Sequence, residues 1–346
     1  MENIYITKIF FLTTLAFIVT MLWTPLLTHF LYKFKLGKQI RDEKSAPIFS
    51  KLHKSKKGTP TMGGVLIWVT VLVFALGFYF LSQIFNGVFT QLNFLSRSET
   101  LLPLGALVAS AIVGLIDDLI DIWKVGHNGG GLRMRHRFLI YAIIATVGAL
   151  WFYFKLDWTT LYIPFFGNFD IGLWYIPFFI FIIIATAHSV NLTDGLDGLA
   201  GGTLLVAFAA YGSIAFAKGR FDLATFCGVI IGALLAFLWY NINPARFFMG
   251  DTGAMSLGVT LGVIAMLTNA SLLLPIIGFI FVMETSSVLL QWASKSIRKK
   301  KIFLSSPFHH HLQAIGWPEP KIVMRLWVVS GVTAVIGLII FLIDRT

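Results

Sequence analysis

The chain has 346 residues, of which 57% are hydrophobic and only 12% charged, against about 25% charged in soluble domains. That balance excludes water as the only solvent. The formal charge of +11 lies in runs that adjoin apolar segments and carry no nucleic-acid module, which excludes nucleic-acid binding. The one cysteine, Cys227, excludes an internal disulfide framework and reads as a buried structural thiol.

Crossing the hydrocarbon takes roughly 20 apolar residues per helix. The first run exceeds that length and lacks the short apolar core and cleavage site of a signal peptide, so it reads as a retained span. Apolar stretches follow one another at Ile9–Tyr32, Met62–Phe85, Leu101–Trp123, Phe138–Phe154 and Leu173–Val190. They continue at Leu199–Ala217, Leu223–Tyr240, Ala254–Leu267, Leu272–Trp292 and Ile322–Ile343. Asp157 to Ile171 is too rich in Pro, Gly and Asn to span, and its Thr, Tyr, Ile and Phe predict a short hairpin. The expected fold is an all-α polytopic membrane protein, a single integral domain over 1–346, with about ten transmembrane helices.

Assigning the loops alternately to two sides leaves Lys8, Arg97, Lys155, Lys218, Arg220 and Arg345 on one side and every other lysine and arginine on the opposite one. The basic side is cytoplasmic by the positive-inside rule, so both termini and the hairpin face outward. Topogenic bias accounts for most single lysines there, and attraction of anionic lipid or nucleotide is a second role.

Every unusual polar cluster falls on that basic side. In Lys56-Lys57-Gly58-Thr59-Pro60-Thr61-Met62-Gly63-Gly64, hydroxyls and lysines suit phosphate oxygens, although the segment also reads as a flexible entry to the second span. Asp117-Asp118, with Asp121 one helical turn on, puts three acids at the end of the third span. Two carboxylates about 4 Å apart repel by roughly 4 kcal/mol at an effective dielectric of 20, so a cation or a shared proton belongs with them. Asn191-Leu192-Thr193-Asp194-Gly195-Leu196-Asp197-Gly198 reads either as a capping turn or as acids that meet a nucleoside or a metal. Asn241 to Gly253 holds Phe248, which suits base stacking or an interfacial aromatic belt, and Asp251 between glycines. Pro307-Phe308-His309-His310-His311 offers donors to diphosphate oxygens. Glu284, inside the ninth span, is an intramembrane acid for which the sequence supplies no partner. Carboxylates, lysines, histidines and glycine-rich turns at one membrane face suit Mg²⁺-assisted phosphoryl transfer.

Taken in order, these motifs resemble the phospho-N-acetylmuramoyl-pentapeptide-transferase family of the polyprenyl-phosphate N-acetylhexosamine-1-phosphate transferases. The likeness covers nearly the whole chain, and the triple histidine with Gly316-Trp317-Pro318-Glu319-Pro320 resembles the muramoyl branch. It implies ten transmembrane helices in the bacterial inner membrane, a cytoplasmic active site, Mg²⁺, and a homodimer among membrane lipids. It also implies transfer of phospho-N-acetylmuramoyl-pentapeptide from its uridine diphosphate donor to undecaprenyl phosphate, giving lipid I and uridine monophosphate for peptidoglycan. On the same basis Asp251 resembles the Mg²⁺ ligand, Asp117 the group that deprotonates or positions the lipid phosphate, and Asp118 its supporting acid. Lys56, Thr61, Asn191, Asp194, Asp197, Asn241 and Phe248 resemble the nucleotide pocket, and His309, His310 and His311 a diphosphate or sugar contact.

Four positions depart from the family pattern: His188 replaces the usual Asn, Asp121 and Arg137 the common Lys, and Gln313 the common acid. The alternative enzyme is a phospho-N-acetylglucosamine transferase acting on the same lipid. The alternative from another class is a transporter, which would place acids near the membrane midplane.

Overall fold

A computed structural model describes residues 2–37, 56, 58–123, 131–132 and 134–344. Lys38, Arg41, Lys44, Lys51, Lys54 and Lys57 of the first basic loop lie outside the described residues. Each expected span is matched by a helix: α1 (Glu2–Lys33), α2 (Val65–Ile84), α3 (Leu101–Ile122), α4 (Met134–Lys155) and α5 (Tyr175–Thr193). There follow α6 (Leu199–Ala217), α7 (Phe221–Asn241), α8 (Asp251–Leu267), α9 (Phe279–Ile297) and α10 (Glu319–Ile343). All but α8 and α9 are individually long and apolar enough to cross a bilayer. The expected hairpin forms as β1 (Thr160–Ile163) against antiparallel β2 (Gly167–Asp170).

The ninth span differs from the straight run expected over Leu272–Trp292. It breaks at Gly278, where Ser271–Ile277 meets α9 at 82°. Pro275 sits in the first turn of the short helix Leu274–Ile277, where a missing N–H is tolerated, and glycine at the junction weakens continuation. Hydropathy registers length and not direction, so the apolar run alone did not show the bend that Pro275 and Gly278 permit.

Helix α8 has 17 residues, and all except Asp251 are buried. It packs between α3 and α5, while α7 packs on α1 and α6. Its Gly253 and Gly258 let the backbones at Gly64 and Ala187 approach closely, which is how helices associate where lipid removes the hydrophobic drive between them. Cys227 is fully buried in this packing. Outward faces of the bundle carry exposed Leu22 and Leu26 on α1, Phe181 on α5, and Val335 and Ile339 on α10. Apolar area of that extent is stable against lipid tails and not against water. The chain is a multi-pass membrane protein.

Loops gather at two ends. At the hairpin end, Lys8 reaches Asp222 (3.2 Å) and the Asn93 carbonyl (2.7 Å), and Tyr162 donates its backbone N–H to Asn269 (3.1 Å). The other end holds the motif residues.

Candidate active site

Asp117 and Asp118 are adjacent on α3, so their side chains leave the helix about 100° apart and meet different partners. Asp117 turns toward α4, where its Oδ2 lies 2.5 Å from Arg137 Nε and its Oδ1 accepts the Leu132 N–H at 2.6 Å. Arg137 Nη1 is also 2.8 Å from Asp251 Oδ2, and Asn191 Nδ2 donates to Asp251 Oδ1 at 2.6 Å. One guanidinium thus bridges two carboxylates that begin far apart in sequence. The fork geometry of arginine suits this, since an ammonium is a point charge. The cation that the acids required is therefore Arg137, which the sequence marked only as a departure from the family pattern.

Asp118 points to the start of α8. Its two oxygens accept the backbone N–H groups of Asp251 and Thr252, each at 3.1 Å. This carboxylate from another helix does the work of an N-cap, satisfying donors left open by the helix geometry and opposing the positive end of its dipole. Gly250 precedes the helix at φ 74° and ψ 172°, a conformation open to glycine alone. A Cβ there would also lie 2.6 Å from Asp118 Oδ2 and 2.7 Å from Thr61 Oγ1. Thr252 completes the joint, donating to the Ala111 carbonyl at 2.8 Å.

The segment before α2 runs alongside the segment before α8. Phe248 N–H donates to Pro60, Gly63 N–H to Phe248 and Gly64 N–H to Met249, each at 2.8 Å. The first and fourth motifs are therefore one backbone unit, with Gly63 and Gly64 buried rather than forming a loose entry. Thr61 is buried within it, its hydroxyl without a hydrogen-bond partner among the described residues.

Beside this unit, Lys56 Nζ lies 2.6 Å from Asp197 Oδ1 and 2.5 Å from Glu319 Oε1, and 5.8 Å from the Phe248 ring centroid. Asp197 is buried and also accepts from Asn243 (3.0 Å) and the Ala245 N–H (3.1 Å). Asn241 accepts the Gly198 N–H (2.9 Å) and donates to the Phe247 carbonyl (2.8 Å). Asp197 and Asn241 thus brace two loops against each other, whereas Lys56, Phe248, Asn191 and Asp194 keep partial exposure. Glu319 stood out in the sequence only within the run from Gly316 to Pro320 and Asn243 only within Asn241 to Gly253, neither with a role of its own, because an acid in a first helical turn and an asparagine before proline have ordinary structural explanations.

The histidines separate. His309 is fully buried, its Nδ1 3.0 Å from Glu284 Oε2. The intramembrane acid therefore has a partner after all. His310 is buried with its Nδ1 2.8 Å from Gln313 Oε1, and His311 stays partly exposed against Phe303 and Phe308. Among the described residues no group of three His, Cys, Asp or Glu forms a ready metal shell.

Fold and site together define a polytopic membrane protein whose acids, amides and cations converge at one end of the helix bundle. The glycosyl transferase family 4 model matches residues 100–269, and the phospho-N-acetylmuramoyl-pentapeptide-transferase signature 1 matches residues 56–67. Similar curated proteins carry the name phospho-N-acetylmuramoyl-pentapeptide-transferase. One from Chloroflexus aggregans is 39% identical over 345 residues, covering 96% of this chain and 89% of its own length. One from Geobacillus thermodenitrificans is 38% identical over 330 residues (94% and 95%), and one from Listeria monocytogenes 39% over 324 residues (93% and 94%). The chain belongs to the phospho-N-acetylmuramoyl-pentapeptide-transferase family.

Proposed function

We propose that the chain transfers phospho-N-acetylmuramoyl-pentapeptide from its uridine diphosphate donor to undecaprenyl phosphate. The observation that carries this reading is the convergence of Asp117, Asp251 and Asn191 around Arg137, next to a loop tied to Lys56 and Phe248. Family membership supports the choice of substrates. An oxygen of the lipid phosphate bonds to the sugar-bearing phosphorus while the bond from that phosphorus to the uridylate oxygen breaks. The electron pair leaves with uridine monophosphate, and lipid I keeps the new diphosphate link.

Asp117 positions the lipid phosphate or accepts its proton. Arg137 offsets the negative charge gathered by two carboxylates and the phosphate groups of donor and acceptor, a stabilisation that grows as charge develops on the leaving uridylate. Asn191 fixes the Asp251 carboxylate, and Asp118 fixes the helix end that carries it. On the donor side, Lys56, Asp194 and Phe248 receive the uridine nucleotide, while His310 and His311 face the diphosphate or sugar.

Two carboxylates converging on one cation are a donor set that fits Mg²⁺, which is held by one or two carboxylates together with phosphate oxygens and water. Asp251 would hold the ion, with Asp117 left to the lipid phosphate, and the ion's charge would offset that of the diphosphate when it is bound. The basic loops support a bacterial inner-membrane protein with this end in the cytoplasm. The family resemblance supports a homodimer, which light scattering of the detergent-solubilised protein tests. The function itself is tested with purified protein, undecaprenyl phosphate, Mg²⁺ and each nucleotide sugar in turn. Release of uridine monophosphate from the muramoyl-pentapeptide donor is expected; reaction of the N-acetylglucosamine donor alone overturns the reading.

A further inference from the structure

On its inward face α9 carries a buried polar stripe made of Glu284, Ser287, Gln291 and Ser294, while its outward face exposes Leu289, Leu290 and Trp292. The spacing of three and four residues puts them on one helix face. Gln291 Oε1 accepts the Ile302 and Phe303 N–H groups at 3.0 Å each, and its Nε2 donates to the Phe303 carbonyl at 2.9 Å. Ser294 donates to the Lys300 carbonyl at 2.9 Å. Glu284 continues the stripe: its Oε2 accepts the His309 backbone N–H at 3.2 Å and lies 3.0 Å from the imidazole Nδ1. The stripe thus holds the loop from Lys300 to His309 at successive points along one helix.

The far side of the imidazole meets the turn between α5 and α6. A Cβ on Gly195 would collide with His309 Nε2, so glycine is required for this approach. Glu284 and His309 are both 0% exposed, and among the described residues Glu284 Oε1 and both imidazole nitrogens of His309 lack a hydrogen bond, Nδ1 meeting Glu284 Oε2 at ion-pair distance while the backbone N–H makes the hydrogen bond. A buried ionisable pair with unmet polar atoms contributes little to stability compared with apolar side chains of similar volume. What the pair does supply is a fixed orientation, and the turn it presses carries Asp194 and the Asp197 that holds Lys56.

We infer that Glu284 is a positioning residue for the donor pocket, acting through the His309 imidazole on the Gly195 turn. The inference rests on the proposed transfer reaction for its kinetic consequence but not for its geometric one, so the two are measured separately. Amide hydrogen exchange, read by mass spectrometry on the full-length protein in detergent, follows the geometry. In Glu284→Leu, exchange should rise at least tenfold over 194–198 and stay unchanged over 250–254, where Asp118 holds the helix end. Unchanged exchange over 194–198 overturns the inference, whether or not the wild type turns over.

Steady-state kinetics follow the consequence. Glu284→Leu should raise the KM for the nucleotide donor at least tenfold and leave the KM for undecaprenyl phosphate within twofold. Glu284→Gln, which keeps an oxygen for the His309 N–H, should recover most of that loss. Gly195→Ala should reproduce the Glu284→Leu pattern. Equal changes in both KM values accompanied by a lower melting temperature, with no recovery in Glu284→Gln, would reduce the pair to a structural one and overturn the inference. If the wild type consumes no donor, the reaction reading fails while the exchange measurement still decides the geometry.

Discussion

Asp118→Asn separates scaffolding from chemistry in the acid pair. The native carboxylate accepts two backbone N–H groups at 3.1 Å from the first residues of α8. An asparagine offers one oxygen to one of them and turns its own N–H₂ toward the other. A hydrogen bond to a charged group contributes about 1.5–3 kcal/mol, and negative charge at a partly buried helix N-terminus up to about 2 kcal/mol. The two quantities overlap, so the expected destabilisation is about 2–4 kcal/mol. Because Asp251 is the first residue of α8, loosening that end moves its carboxylate away from Arg137 and Asn191. Misplacement by about 1 Å costs roughly 10²-fold in rate. Thermal melting and uridine monophosphate release, measured on the same detergent-purified sample, should therefore fall together. Lost turnover with unchanged melting would refute the capping role and put Asp118 in the chemical step.

Lys56→Met removes the amine between Asp197 and Glu319 and should raise the donor KM about tenfold, equivalent to ~1.4 kcal/mol, with a smaller change in kcat. A titration of initial rate against donor concentration checks it. Asp251→Asn should move the Mg²⁺ midpoint of the rate strongly and lower kcat by about 10²- to 10³-fold, whereas Asp117→Asn should lower the rate with little change in midpoint; titration of Mg²⁺ separates them. For topology, with Cys227 replaced by Ser, Phe166→Cys in the hairpin should react with an impermeant thiol reagent in whole cells and Lys300→Cys should not.

The spans were legible because hydrocarbon thickness fixes a length that apolar runs reveal directly. Their polar ends were not. Helix α8 starts at Asp251 rather than the expected Ala254, and α4 at Met134 rather than Phe138. An apolar window stops where charge begins, while a helix stops where its backbone donors find other partners; those partners included Asp118 from another helix. The acids of the site were legible as costly residues at a span end, yet their division of labour was not, since neighbours on a helix look equivalent in sequence and face different ways in space. Glu284 and His309 lie on separate elements, and no local pattern could have paired them.

That pairing bears on the transporter alternative. An ion path needs acids toward the middle of the bilayer with hydrated neighbours, and Glu284 was the one acid that the sequence placed inside a span away from the clusters. It is occupied by His309, a residue of the same loop system that meets the Gly195 turn, so it belongs with the site end of the bundle. At the hairpin end, Asp222 is held by Lys8, and Asp344 accepts from Tyr162 and the Phe165 N–H. Glu99 there accepts the Leu223 N–H. The turn from Asn191 to Gly198 is what unites the other end: Asn191 orients Asp251, Gly195 receives His309, and Asp197 holds Lys56. A turn that braces three groups at once suits an enzyme that must align two phosphate-bearing substrates, and it has no counterpart in the demands of a conduction path, which needs sites an ion can leave as readily as it enters.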